Sequence, residues 1–249
     1  MSVPRFYCGK LSPGVVTLDE LQSRHAWSSL RLGPDDEVLV FDGAGAWARG
    51  TLVANEGDKQ RKSRRKVSIA VERVECESPP RHELIQIVSA CKGPRLTWMI
   101  EKLTEIGVTG IVIAEFERSV VHVGAARVEK LRRTVIEAAK QSRRLWLPSI
   151  EAGVLLDDAL AAVVSDGAAT NLLVAHPAEK AAAWADCLSR TSGAASRVVA
   201  VVGPEGGLTN NEIQKLSEAN GRFVRLSRHI LRVETAALSV AAAWAAFCD

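Results

Sequence analysis

The segment with the clearest potential for chemistry is the loop of residues 203–207, whose sequence is GPEGG. It follows directly on the apolar run of residues 198–202 and precedes TNNE at residues 209–212, a capping box that predicts the start of a helix. Ligands of open α/β sheets bind beyond the carboxyl ends of the strands. Because its three glycines let a ligand approach the backbone, we expect this loop to bind one, with a simple strand-to-helix turn as the alternative.

A second candidate segment is residues 226–236, with the sequence LSRHILRVETA, which leads from an apolar strand into an alanine-rich helix. Arg228 and Arg232 could hold an anion, and Glu234 and Thr235 could cap the helix or contact a polar ligand. The alternative is a surface loop with an Arg/Glu pair.

Cationic residues are concentrated in two places. Six of the nine residues at 58–66 are Lys or Arg, and the predicted helix of residues 127–144 carries seven cations against Glu129 and Glu137. Either cluster alone could be a solvated surface, but two clusters in separate parts of the chain favour a polyanion such as nucleic acid. Because aromatic residues make up only 5% of the chain, we expect shape and phosphate contacts rather than extended base stacking.

The composition of the chain excludes a disordered protein and a collagen-like protein. The 249 residues are 47% apolar and 24% charged, which is typical of a soluble globular protein. No apolar run is long enough to span a bilayer and the N-terminus lacks the pattern of a signal peptide, so we expect no membrane partner and a cytoplasmic location. The five cysteines contain no CxxC pair, so we expect the protein to have neither a disulfide framework nor a structural metal site.

The elements divide the chain into two domains. Short apolar runs with turn signals predict a β-rich domain over residues 1–76, and the Pro pair at 79–80 marks a linker. Over residues 77–249 strands alternate with amphipathic helices, which predicts an α/β domain. Its continuous apolar strands, such as residues 172–175 and 198–202, are typical of a parallel sheet, and we expect Gly107 and Gly221 to end helices.

The chain resembles the 16S ribosomal RNA uridine N3 methyltransferases, members of the SPOUT class of knotted methyltransferases. The resemblance runs nearly from end to end. It is carried by RF at residues 5–6, FDG at 41–43, IEKLTEIGV at 100–108, ERS at 117–119, EAAKQSRR at 137–144, GPEGG at 203–207 and ILRVETA at 230–236. Ser227 stands where the family usually has glycine, and His229 stands where arginine is common.

The resemblance implies a PUA-like RNA-binding β-barrel followed by a SPOUT α/β domain with a C-terminal deep trefoil knot. It also implies a homodimer, S-adenosylmethionine held in the knot, and methylation of N3 of a specific uridine in 16S ribosomal RNA of the small ribosomal subunit. We expect no metal, because the sequence has no cluster of metal ligands and methyl transfer from a sulfonium needs no Lewis acid. By position, the cofactor pocket would comprise Val174, Ala175, Gly203, Pro204, Glu205, Gly206, Gly207, Leu226, Ser227, His229, Ile230 and Leu231.

The implied reaction suggests roles for further residues. Neutral uracil N3 carries a proton and is a poor nucleophile. Either a base must accept this proton, or a cation must stabilise the anion that remains when the proton leaves. Arg232 is our candidate for the cation or for positioning a target phosphate, and Glu205 is the weaker candidate for the base. The candidate RNA contacts are Arg5, Arg61, Lys62, Arg64, Arg65, Lys66, Arg118, Arg143 and Arg144.

Three alternative functions remain open at this point. One is a SPOUT enzyme that methylates a ribose hydroxyl or a guanine, and another is a noncatalytic RNA-binding factor for ribosome assembly. The third is a small-molecule nucleotide transferase, which leaves both basic clusters unexplained. The loop at 203–207 lacks the Gly-Lys-Ser/Thr ending of a P-loop, so nucleotide hydrolysis loses support.

Overall fold

The computed structural model describes residues 3–53, 66–164, 170–177, 181–184, 187 and 197–248. The chain forms two compact units. The first contains residues 1–79 together with 139–147, and the second contains residues 80–138 and 148–249. The first unit therefore recruits a short segment from the middle of the chain in addition to the N-terminal part.

The first unit is built on a mixed sheet whose pairing follows the order β1-β3-β4-β5-β2, with β6 paired to β4. Its strands are β1 (Arg5–Tyr7), β2 (Gly14–Thr17), β3 (Glu37–Phe41), β4 (Ala46–Val53), β5 (Ser68–Val71) and β6 (Glu75–Cys76). β1 and β2 are the two outer strands in this order, and they do not pair with each other among the described residues. The described sheet is therefore open.

A short helix and one apolar core complete the first unit. Helix α1 (Glu20–Arg24) begins where the Asp19 side chain accepts the N–H of Gln22, and a π-helical turn, His25–Ser29, continues it. Alternating inward residues of the strands, including Val38, Val40 and Ile69, form the core.

The second unit has a seven-stranded sheet in which every adjacent pair is parallel. The order is β11-β13-β10-β12-β7-β8-β9. The strands are β7 (Glu83–Ser89), β8 (Gly110–Glu115), β9 (Ser149–Leu155), β10 (Thr170–Ala175), β11 (Ala182–Ala183), β12 (Arg197–Val202) and β13 (Arg222–Arg225). The predicted α/β architecture with a parallel sheet is confirmed.

Five helices accompany this sheet in the described part of the chain: α2 (Pro94–Ile106), α3 (Ala125–Ser142), α4 (Leu156–Val164), α5 (Asn210–Glu218) and α6 (Val233–Cys248). Gly107 ends α2 with a φ of 114°, as predicted. Helix α5 instead ends before Gly221, because Asn220 adopts the left-handed conformation with φ 59°. A Cβ on Gly221 would lie 2.5 Å from the Leu216 carbonyl oxygen, so close approach requires that glycine.

The central strands are buried because both of their faces are covered. Helices α4 and α5 pack on one apolar cluster that includes Val174, Val201 and Leu216. Helix α6 packs against β7 and α2, and the buried Gln86 amide donates to the Ala237 carbonyl at 2.9 Å. The sheet and helices thereby hold the carboxyl ends of β10, β12 and β13 at one edge.

Among the helices that the structure describes, none is both long and apolar enough to cross a membrane.

Candidate functional site

A cavity of about 330 Å³ lies beyond the carboxyl ends of β10, β12 and β13, three neighbouring strands of the parallel sheet. Its volume falls in the range of small-molecule sites. Three stretches of chain form its walls, one after each strand. They are residues 175–177, residues 202–208, and residues 225–227 with 229–231, 233 and 236.

Every residue that the resemblance assigned to a cofactor pocket lines this cavity except Val174. Val174 is fully buried in the apolar cluster beneath it. Sequence reasoning missed His176, Pro177, Val202, Leu208, Arg225, Val233 and Ala236, which also line the cavity. Their position at strand ends was a usable signal for His176, Pro177 and Arg225, whereas Val233 and Ala236 belong to the first turns of α6.

The glycine-rich loop has little room for side chains. A Cβ on Gly203 would lie 2.7 Å from Cδ2 of Leu208, itself a cavity residue. Gly207 has a φ of 73°, which L side chains rarely adopt, and its N–H donates to the Pro204 carbonyl at 2.8 Å. These constraints explain why glycine occupies both positions.

The loop after β8 braces the glycine-rich loop. Arg118 donates to the Gly206 carbonyl at 2.9 Å, and the backbone N–H of Glu117 donates to Glu212 of α5 at 2.8 Å. The Asn211 amide donates to the Glu117 carboxylate at 2.7 Å, and this hydrogen bond is the main reason that the pKa of Glu117 is lowered. Arg118, a candidate RNA contact, thus supports the cavity wall.

Arg95, in the first turn of α2, joins two parts of the site. Its Nη1 donates to Glu205 Oε1 at 3.1 Å and to Glu234 Oε1 at 3.2 Å. The hydrogen bonds that Arg95 donates to Glu234 and then to Glu205 raise the pKa of Arg95. Nearby, burial and then the Glu234 charge raise the pKa of the Cys91 thiol to about 11. Sequence reasoning missed Arg95, although it follows the carboxyl end of β7.

Arg232 lies exposed between the cavity and α6. Its carbonyl accepts the N–H of Ala236 at 2.8 Å, and no described residue forms an ion pair with its guanidinium. In the adjoining cavity wall, Ser227 Oγ accepts the N–H of His229 at 3.0 Å. The side chain of Ile230 is 89% exposed. The cation Arg232 and the apolar side chain of Ile230 are therefore both exposed to solvent at the cavity.

The candidate RNA contacts Arg5, Arg143 and Arg144 all belong to the first unit. Burial and then the Arg143 charge lower the pKa of Arg5, whose guanidinium stacks 5.8 Å from the Phe41 ring centroid. Burial lowers the pKa of Arg144 to about 10. Lys66 is exposed, whereas Arg61, Lys62, Arg64 and Arg65 lie outside the described residues.

Metal ligands are not clustered in the described part of the chain, where no three His, Cys, Asp or Glu residues could together hold an ion.

Comparison with known proteins identifies the family. Residues 77–245 match the model of the RNA methyltransferase domain. The chain is 31% identical over 240 residues to "Ribosomal RNA small subunit methyltransferase E" of Mycobacterium bovis, covering 90% of this chain and 83% of the relative. The chain belongs to the ribosomal RNA small subunit methyltransferase E family. The resemblance predicted from its sequence is confirmed.

Two solved structures share the fold of this chain. Ribosomal RNA small subunit methyltransferase E from Neisseria gonorrhoeae, bound to S-adenosyl methionine, is 30% identical with a TM-score of 0.76, covering 97% of this chain and 96% of that chain. A Legionella pneumophila methyltransferase structure with bound S-adenosylmethionine has a TM-score of 0.82 at 22% identity, covering 99% and 98% of the two chains. The second likeness bears on the fold alone.

Proposed function

We propose that this protein transfers a methyl group from S-adenosylmethionine to N3 of a specific uridine in 16S ribosomal RNA of the small ribosomal subunit. One observation carries the proposal. The cavity beyond β10, β12 and β13 is built from the residues that the family resemblance assigns to the cofactor. Membership of the ribosomal RNA small subunit methyltransferase E family supports the substrate and the reaction.

The residues of the cavity suit S-adenosylmethionine. Leu226, Ile230 and Leu231 supply apolar surface for a flat base, and their backbone groups supply hydrogen bonds to its edge. The glycine-rich loop lets the polar part of the ligand approach the backbone closely. The tight fit of Gly203 against Leu208 makes this approach dependent on glycine.

The mechanism rests on orientation and charge. When bound, the cofactor supplies an electrophilic methyl carbon. The cavity walls hold the reactants in line and exclude water, which accounts for a large part of the rate enhancement in such transfers. The exposed guanidinium of Arg232, without an ion-pair partner among the described side chains, stabilises the negative charge that develops when uracil N3 loses its proton.

Glu205 is the carboxylate that we propose as acceptor of the N3 proton. It lines the cavity in the glycine-rich loop, and Arg95 holds its Oε1 at 3.1 Å. Accepting a proton would require Glu205 to leave this ion pair at least transiently, so its role is subordinate to that of Arg232.

We also propose the remaining features of the family resemblance for this chain. Residues 1–76 would form a PUA-like barrel that binds RNA, and residues 77–249 a methyltransferase domain with a trefoil knot and a homodimer interface. We propose a cytoplasmic location, which the proposed action on ribosomal RNA supports.

The RNA would be held through its phosphates. Arg5 and Arg143 are near enough for their charges to interact, Arg144 follows Arg143 in sequence, and Lys66 is exposed in the same unit. We propose that Arg61, Lys62, Arg64 and Arg65, next to Lys66 in sequence, also contact the RNA phosphates. Arg118 combines its contact with Gly206 with a proposed contact to the RNA.

Calorimetric titration with S-adenosylmethionine tests the proposed pocket. Gly203→Ala places a Cβ against Leu208, so we expect its dissociation constant to rise about tenfold, equivalent to about 1.4 kcal/mol. Gly124→Ala is the matched control, because a Cβ there meets nothing within 4 Å. Equal affinity of the two variants and the unaltered protein would exclude the cavity as the cofactor site.

A further inference from the structure

We infer that Arg95 is a positioning residue for the methyl transfer, because it fixes the two walls of the cavity relative to each other. This inference rests on the proposed function. Nη1 of Arg95 lies 3.1 Å from Glu205 Oε1 and 3.2 Å from Glu234 Oε1. Glu205 belongs to the glycine-rich loop, and Glu234 lies in the first turn of α6, two residues after Arg232.

The pairing with Glu234 is the stronger of the two contacts. The side chain of Glu234 is only 8% exposed. Among the described residues, its ion-pair partner is Arg95. The second carboxylate oxygen of Glu234, Oε2, is buried and has no hydrogen-bond partner among the described residues. A buried carboxylate without its cation is strongly unfavourable, so removal of Arg95 would displace the start of α6.

The pairing with Glu205 transmits that position to the loop. Glu205 is half-exposed, and its contact with Arg95 spans 110 residues of sequence. The loop is also held by Arg118 through the Gly206 carbonyl, but that contact does not reach α6. Arg95 is therefore the described side chain that links the loop directly to the segment bearing Arg232.

Hydrogen exchange in the protein without cofactor tests this role. In Arg95→Met we expect exchange of residues 203–208 and 226–232 to accelerate about tenfold, because hydrogen bonds to charged groups are among the strongest that such segments make. Lys215→Met is the matched control. It removes another ion pair of the second unit, with Asp157 at 2.6 Å, that joins α5 to α4 without lining the cavity.

Binding and kinetics separate positioning from general loss of structure. Arg95→Met should raise the dissociation constant and the KM for S-adenosylmethionine about tenfold, and Arg95→Lys should recover part of the loss because it restores a cation. A merely structural defect would lower kcat through the active fraction while KM stayed unchanged. If Arg95→Met does not fold, Glu234→Gln replaces it, with the same expected changes.

Unchanged exchange of both segments in Arg95→Met or Glu234→Gln would overturn the inference, as would exchange accelerated equally by Lys215→Met. These outcomes do not depend on the cofactor. A protein that shows the expected exchange but binds no S-adenosylmethionine would refute the proposed function, and with it a role of Arg95 in methyl transfer, and would leave supported only the link that Arg95 makes between the two walls.

Discussion

At the scale of single residues, Arg232 is the side chain on which the proposed chemistry most depends. It is exposed beside the cavity, and no described carboxylate neutralises it. We expect Arg232→Ala to lower kcat about 100-fold, because an interaction with charge that develops in the transition state is lost. Single-turnover methylation assays measure this change.

The matched control is Arg222→Ala, which removes an exposed arginine of β13 that does not line the cavity. Calorimetry should show that both variants bind S-adenosylmethionine as the unaltered protein does. If Arg232→Ala kept normal turnover, the stabilising role of Arg232 would be wrong.

The cysteines provide a second test at this scale. Burial and then the Asp42 charge raise the pKa of Cys8 to about 11, and burial and then Glu234 raise that of Cys91 to about 11. The thiolate is the reactive form, so at pH of about 7.5 both thiols should resist iodoacetamide. The exposed Cys76 should react first. Mass spectrometry after short exposure gives the order, and early labelling of Cys91 would contradict its burial beside Glu234.

At the scale of elements, the capping box of α5 sets where the glycine-rich loop stops. Thr209 Oγ1 accepts the N–H of Glu212 at 3.2 Å, and Glu212 Oε2 accepts the N–H of Thr209 at 2.8 Å. We expect Thr209→Ala to lower the free energy of unfolding by about 1 kcal/mol. Urea denaturation measures the change.

Ser217→Ala is the control within the same helix, since the Ser217 hydroxyl donates to the Ile213 carbonyl one turn back and is not part of the capping box. Its effect should stay within about 0.5 kcal/mol. Equal losses in the two variants would mean that the capping box does not stabilise α5.

Local patterns predicted these elements well for a physical reason. Strands buried on both faces give uninterrupted apolar runs, as in β10 and β12, and a capping box depends only on neighbours in sequence. The end of α5 was harder, because Asn220 tolerates the left-handed conformation that Gly221 was expected to adopt. Gly221 is instead required by its approach to the Leu216 carbonyl.

The cavity residues from separate strand ends could be grouped from sequence only with the family resemblance. Arg95 was missed because its partners are 110 and 139 residues away, and no local pattern shows such a contact.

At the scale of the whole molecule, the first unit depends on residues 139–147. Gly45 has a φ of 93°, its N–H donates to the Leu145 carbonyl at 3.2 Å, and a Cβ there would lie 2.6 Å from the Trp146 ring. We expect Gly45→Ala to destabilise the protein by about 2 kcal/mol or more in thermal or urea unfolding, through both strain and collision.

Gly33→Ala is the control for this substitution, because a Cβ at Gly33 meets nothing within 4 Å. It should change the free energy of unfolding by less than about 0.5 kcal/mol. A stable Gly45→Ala protein would show that the contact with residues 145–146 contributes little to the first unit.

The most direct test of the central claim is methyl transfer itself. Purified protein is incubated with labelled S-adenosylmethionine and small ribosomal subunits that lack the modification, and the RNA is digested to nucleosides and analysed by mass spectrometry. We predict label in 3-methyluridine, reduced by Gly203→Ala and nearly lost in Arg232→Ala. Label in a ribose-methylated nucleoside or in methylguanosine, or no transfer to the RNA at all, would contradict the account.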